Sequence, residues 1–166
     1  MPRSMTKTRW RGREAFGLVG FLALCLGVSA IGGAITSTSV GTWYHTLQKP
    51  PFNPPDWVFA PVWTLLYILM AIAGWIVWKS PTTKARRTAL TVFAAQLGLN
   101  LIWSVLFFGL QRIDLALIEI TILLGAIGIN ALLFWRIEPI AGALFVPYFI
   151  WVGYATALNG ALLQLN

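Results

Sequence analysis

Five stretches of about twenty residues are almost wholly apolar, and they leave this chain few ways to fold. They cover residues 15–35, 57–78, 88–109, 115–135 and 140–163. At 1.5 Å of rise per residue, a helix of that length crosses the roughly 30 Å hydrocarbon layer of a bilayer. Inside hydrocarbon every backbone N–H and C=O must be satisfied by the segment itself, so only helices or a closed barrel can span it. Barrel strands are about ten residues of alternating polarity, whereas these runs are long and unbroken. Composition agrees. Apolar residues make up 58% of the 166 and charged residues 10%, where a soluble domain carries about 25% charged. The expected fold is an all-α integral membrane bundle of five transmembrane helices over 15–166, preceded by a basic extension over 1–14.

The breaks between runs hold charge, Pro or Gly. Residues 79–87 contain Pro81 and four basic side chains, residues 109–114 form a short polar turn, and Arg136-Ile137-Glu138-Pro139 stops one helix and starts the next. The basic start followed by an apolar run resembles a signal peptide. The run is longer than the usual hydrophobic region and no Ala-x-Ala site follows, so it reads as the first helix. Ten of the twelve basic residues fall at the N-terminus or in the second and fourth loops. The positive-inside rule then predicts a cytoplasmic N-terminus and an outer C-terminus in a bacterial cell membrane. The net charge of +7 is thereby explained by topology, with no nucleic acid as partner. The lone Cys25 excludes an internal disulfide.

Several polar groups lie where lipid would reject them. Gln96, Asn100 and Ser104 are spaced by four, so they share one helix face, flanked by Trp103. Such a stripe turns inward, to line a cavity or to bond neighbouring helices. Ala94 and Gly98 lie on the opposite face, and small residues four apart predict a close contact with a second copy, hence a homodimer. The fifth run repeats the pattern with Tyr148, Trp151, Ala155 and Asn159, after a Pro147 expected to kink it. The second offers Trp63, Thr64 and Tyr67. The fourth has Glu119 and Asn130 on one face, and Glu119 sits so near the start that it is expected to reach the headgroups. The first loop, residues 36–56, interleaves Trp43, Tyr44 and Phe52 with four prolines. It reads either as a rigid lid over the bundle mouth or as an interfacial aromatic belt. His45 is a lone histidine expected to be solvated. Metal clusters, phosphate loops and Ser-His-acid sets have no counterpart in the sequence. Aromatic rings beside a few amides and hydroxyls are the make-up of a pocket for a bulky, mostly apolar ligand.

The order Trp43-Tyr44, Leu47, Lys49-Pro50, Asn53-Pro54-Pro55, Trp57-Val58-Phe59, Pro61-Val62-Trp63-Thr64 and Leu66-Tyr67 resembles the TspO/MBR family. These are the tryptophan-rich sensory proteins related to the mitochondrial translocator protein, or peripheral benzodiazepine receptor. Gln96-Leu97, Asn100, Trp103-Ser104 and Phe107-Phe108 are similar to the family's third helix, and Pro147-Tyr148, Trp151, Ala155-Thr156 and Leu158-Asn159 to its fifth. The resemblance implies a five-helix bundle, often dimeric. It also implies binding of porphyrins such as protoporphyrin IX and haem, of cholesterol in some members, and of benzodiazepine-type drugs. No cofactor is required; porphyrin or haem enters as ligand. Carried across by motif, the ligand-binding residues are Trp43, Tyr44, Trp63, Asn100, Trp103, Tyr148, Trp151 and Ala155. Two departures stand out. Family members often have an aromatic pair after the loop Lys-Pro, and here Pro51-Phe52 stand there. The sterol-recognition pattern needs Tyr and then Arg or Lys after Leu158-Asn159, and neither follows. The expectation is a receptor or carrier for tetrapyrroles, with a regulatory or stress-response role. The alternatives are a light-dependent porphyrin-degrading enzyme and a small-molecule exporter using Glu119.

Overall fold

The computed structural model describes residues 5–166, with side chains from residue 12 onward. The chain folds as α1 (Met5–Val40), α2 (Trp43–Thr46), α3 (Asp56–Lys79), α4 (Lys84–Ser104), a π-helical turn (Val105–Gly109), α5 (Ile113–Ile137), α6 (Pro139–Ala143) and α7 (Val146–Leu165). Among the described residues there is no strand. Five spans are long and apolar enough to cross a membrane: Gly12–Val40, Asp56–Lys79, Lys84–Gly109, Ile113–Ile137 and Pro139–Leu165. The fold class is therefore the expected all-α membrane bundle. Residues 1–11 of the expected basic extension lie outside the described side chains.

Several boundaries differ from the sequence reading, three of them for a visible local reason. The first helix runs five residues past 35. Thr36, Ser37 and Thr38 return their hydroxyls to the carbonyls of Gly32, Ala34 and Ile35 at 2.9, 2.8 and 2.7 Å, so polar residues continue the helix without needing outside partners. The third span stops being α-helical at Ser104 and opens into the π turn. That turn is closed by Leu110 N–H to Val105 O at 2.8 Å and Arg112 N–H to Leu106 O at 2.9 Å, with Gln111 in the left-handed region at φ 55°. Pro147 does not kink a continuous fifth helix. The span breaks into α6 and α7, and Pro147 sits in the first turn of α7, where its missing N–H breaks no helical bond.

Helix α1 packs on α3 and α4, α4 on α5, and α5 on α7. Aromatic side chains close the ring between α3 and α7, with Trp63 6.3 Å from Tyr148 and Phe59 6.1 Å from Trp151, centroid to centroid. One half of the bundle is solid. Phe93 stacks on Phe134 at 5.8 Å and 18°, and Phe145 meets Phe134 edge-on at 5.1 Å. Basic side chains cap this half: Arg13 lies 5.6 Å from the Trp78 ring and Lys79 3.6 Å from the Trp75 ring, and the Trp75 indole donates to Glu14 O at 2.8 Å. The first loop closes the other half. Asn166 is clasped to it, accepting from Gln48 N–H at 2.9 Å and donating to Gln48 O at 3.1 Å. Residue 166 and the first loop therefore share the end of the bundle opposite Arg13 and Lys79.

Candidate ligand-binding site

In the half beneath the first loop the helices enclose a cavity of about 380 Å³. Its wall comes from the later part of α1, the start of α3, the end of α4 with the π turn, and the later part of α7. Of the residues expected to bind ligand, Tyr44, Trp63, Asn100, Trp103, Trp151 and Ala155 line it. Trp43 and Tyr148 do not. Trp43 meets Phe107 edge-on at 5.6 Å, outside the wall. Tyr148 is fully buried behind Trp63, and its ring holds that indole in place.

The α4 stripe faces inward, with Gln96, Asn100 and Ser104 all buried. The Tyr67 hydroxyl donates to Asn100 Oδ1 at 2.5 Å, Asn100 Nδ2 donates to the Tyr148 hydroxyl at 2.8 Å, and that hydroxyl donates to Gln96 Oε1 at 2.9 Å. One amide thus joins α3, α4 and α7 at the inner end of the cavity. A satisfied buried chain of this kind fixes one arrangement of the helices, because any shift orphans a polar group. A second tie lies nearer the loop, where Trp103 Nε1 donates to Asn159 Oδ1 at 3.2 Å and Asn159 Nδ2 to Ile113 O at 2.9 Å. Trp103 stacks on Phe107 at 5.3 Å and 24°, and Phe107 meets Phe108 edge-on at 4.8 Å, so the π turn carries a block of rings into the wall.

The first loop roofs this space. Tyr44 is buried and donates to Asn53 Oδ1 at 2.7 Å, with Lys49 Nζ 4.3 Å from its ring. Burial pushes its phenol up to about 12, reinforced by the negative Asp56, so it remains a donor at neutral pH. The Tyr154 hydroxyl donates to Phe52 O. His45 is exposed as expected, yet its Nε2 stands 3.2 Å from the Asp56 carboxylate.

Glu119 corrects the sequence reading. In place of an exposed side chain, it is buried at 7% exposure, and neither carboxyl oxygen has a hydrogen-bond partner. It does not line the cavity. Ala94 and Gly98 lie exposed on the outer face of α4, and a Cβ built on Gly98 meets nothing within 4 Å. The sequence reading missed Phe59 and the α1 wall, including Ser29, Gly32 and Thr36. The latter was visible as small and hydroxyl residues at helical spacing.

Comparison with known proteins finds relatives over most of the chain. The Tryptophan-rich protein TspO of Chlorobaculum tepidum is 42% identical over 149 residues, covering 87% of this chain and 92% of that protein. The Tryptophan-rich sensory protein of Cereibacter sphaeroides is 39% identical over 146 residues, covering 88% and 89%. The Translocator protein of Bos taurus is 34% identical over 150 residues, covering 89% of each. The model of the TspO/MBR family matches residues 21–165, which takes in the cavity lining and all five spans except the start of the first, and the chain belongs to that family.

Proposed function

We propose that this protein is a membrane receptor or carrier that holds a tetrapyrrole, protoporphyrin IX or haem, in the cavity beneath the first loop. The observation that carries the reading is the wall itself. Trp63, Phe59, Trp103 and Trp151 from three helices border one space, and a few amides and hydroxyls interrupt an otherwise apolar surface. A volume near 380 Å³ falls within the roughly 300–1,000 Å³ of pockets that take small molecules. Flat conjugated rings match such walls, since offset and edge-on contacts add about 0.5–1.5 kcal/mol each beyond burial. The relatives' names, tryptophan-rich sensory protein and translocator protein, fit a receptor or carrier role. The basic end faces the cytoplasm of a bacterial cell under the positive-inside rule. The exposed Ala94 and Gly98 face suits close approach of a second copy.

The rival readings find less support in the geometry. Glu119 lies outside the cavity wall, which separates it from an exported ligand. Trp43, the loop residue to which a light-driven degradation would be assigned, is also outside the wall.

Trp63→Ala should weaken protoporphyrin IX binding at least tenfold, about 1.4 kcal/mol, in a titration of purified protein followed by porphyrin absorbance. Trp43→Ala should leave it within threefold. Equal affinity of parent and Trp63→Ala protein would remove the cavity as the site.

A further inference from the structure

The cavity has a side opening. Toward the basic end α1 and α3 touch so closely that only glycine fits at two positions. A Cβ on Gly17 would stand 2.5 Å from the Trp78 ring, and one on Gly74 2.8 Å from the Phe21 ring. Toward the first loop the same two helices part, and the cavity lies between them. Four wall residues there, Gly33 and Ser37 of α1 with Ala60 and Thr64 of α3, are also exposed on the outside of the bundle. A Cβ on Gly33 meets nothing within 4 Å. A wall whose residues are at once cavity lining and outer surface is a window.

The frame of the window belongs to two apolar spans. Gly33 and Ser37 belong to the apolar span Gly12–Val40, and Ala60 and Thr64 to Asp56–Lys79. Thr64 lies about 12 Å along α3 from its start, at the helical rise per residue. The hydroxyls around the frame need nothing from a passing molecule. Thr36, Ser37 and Thr64 bond their own helices, at Gly32 O (2.9 Å), Ala34 O (2.8 Å) and Ala60 O (2.8 Å). The frame therefore presents methyl and methylene groups to lipid, with no unpaired donor that would favour water. The route from water is obstructed instead. Tyr44 to Asn53, Tyr154 to Phe52, His45 to Asp56 and the Asn166–Gln48 clasp tie down the proline-rich loop above the cavity.

We infer that the ligand enters and leaves sideways, from the leaflet on the first-loop side, between α1 and α3, and that its class is therefore an amphiphile already dissolved in the bilayer. This rests on the cavity being the ligand site, and the test separates the two ideas. In vesicles, Gly33→Phe and Ala60→Phe place rings in the window at exposed positions, where folding is not at stake. Both association and dissociation of protoporphyrin IX should slow tenfold or more. Asn166→Ala, which releases the loop clasp, should leave both rates within twofold. Faster binding with Asn166→Ala and unchanged rates with the two window variants would overturn the route. A second measurement needs no porphyrin. A nitroxide on Ser29→Cys, in a Cys25→Ala background, should be relaxed by bilayer-dissolved oxygen far more than by a water-soluble nickel chelate. Ala60→Phe should cut the oxygen effect severalfold. That result without porphyrin binding would keep the window and discard the tetrapyrrole. A nickel effect equal to that of oxygen would discard the window.

Discussion

Asn100→Leu should destabilise the bundle by about 2–3 kcal/mol, and a second change, Tyr67→Phe, should then recover roughly 1 kcal/mol of the loss. The leucine keeps the volume but removes the acceptor of the Tyr67 hydroxyl and the donor to Tyr148. Tyr148 keeps an acceptor in Gln96, so the penalty falls mainly on Tyr67, which is 4% exposed. A buried orphan costs about 1–3 kcal/mol, whereas a made bond returns only about 1, so deleting the orphaned group is favourable once its partner has gone. Interhelical bonds in membrane bundles can be worth as little as about 0.6 kcal/mol, because loosely associated helices also find partners. The amide here joins three helices at once, which places it above that average. Unfolding of the two single variants and the double variant in mixed micelles measures the coupling. If the double variant is simply the sum of the singles, the amide is not holding the tyrosines together.

Gly142→Ala should cost about 3 kcal/mol, the upper part of the range for forced overpacking, while Gly125→Ala should be neutral or stabilising. The two glycines look equivalent in the sequence. At Gly142, on α6, an added Cβ would lie 2.6 Å from Trp135 Cβ, 2.7 Å from its Cα and 2.8 Å from its N. Two of these are backbone atoms of α5, so no rotamer change relieves the clash. Helix α6 would have to lift from the end of α5, and α7, with Trp151 and Ala155 of the cavity wall, follows it in the chain. At Gly125, exposed on α5, the space is open, and alanine favours a helix by up to about 1 kcal/mol over glycine. Thermal melting in detergent ranks the variants. A parent-like Gly142→Ala protein would mean that the α5–α6 corner is looser than its contacts imply.

The five spans could be read from the sequence because hydrocarbon is strict about polar backbone, and that strictness writes itself into composition over twenty residues at a time. Gln96, Asn100 and Ser104 could be read for the same reason, since three polar groups on one face of an apolar helix must turn inward. Other features left a weaker trace. Trp43 and Tyr44 are adjacent and equally aromatic, yet on a single helical turn they point about 100° apart, and only Tyr44 reaches the cavity. Glu119 was placed at the headgroups by its depth alone, and packing between helices buries it instead. The α1 wall is built from Ser29, Gly32 and Thr36, residue types that serve helix contacts just as well, so their role depends on where α3 diverges from α1. The break before α7 follows from Pro147, but whether a proline bends a helix or begins one depends on where the preceding turn ends.

The π turn at Val105–Gly109 gives the chain one residue of slack. Deleting a residue from this stretch would let the backbone relax into ordinary α-helical pairing, so the reading frame of the helix tolerates the change. The rings do not share that tolerance. Phe107 and Phe108 would revolve by about 100°, the step of one residue, and break the present contacts of Phe107 with Trp103 and of Phe108 with Tyr44. A chain shortened there would still be embedded and assembled, but its guest chamber would have changed shape.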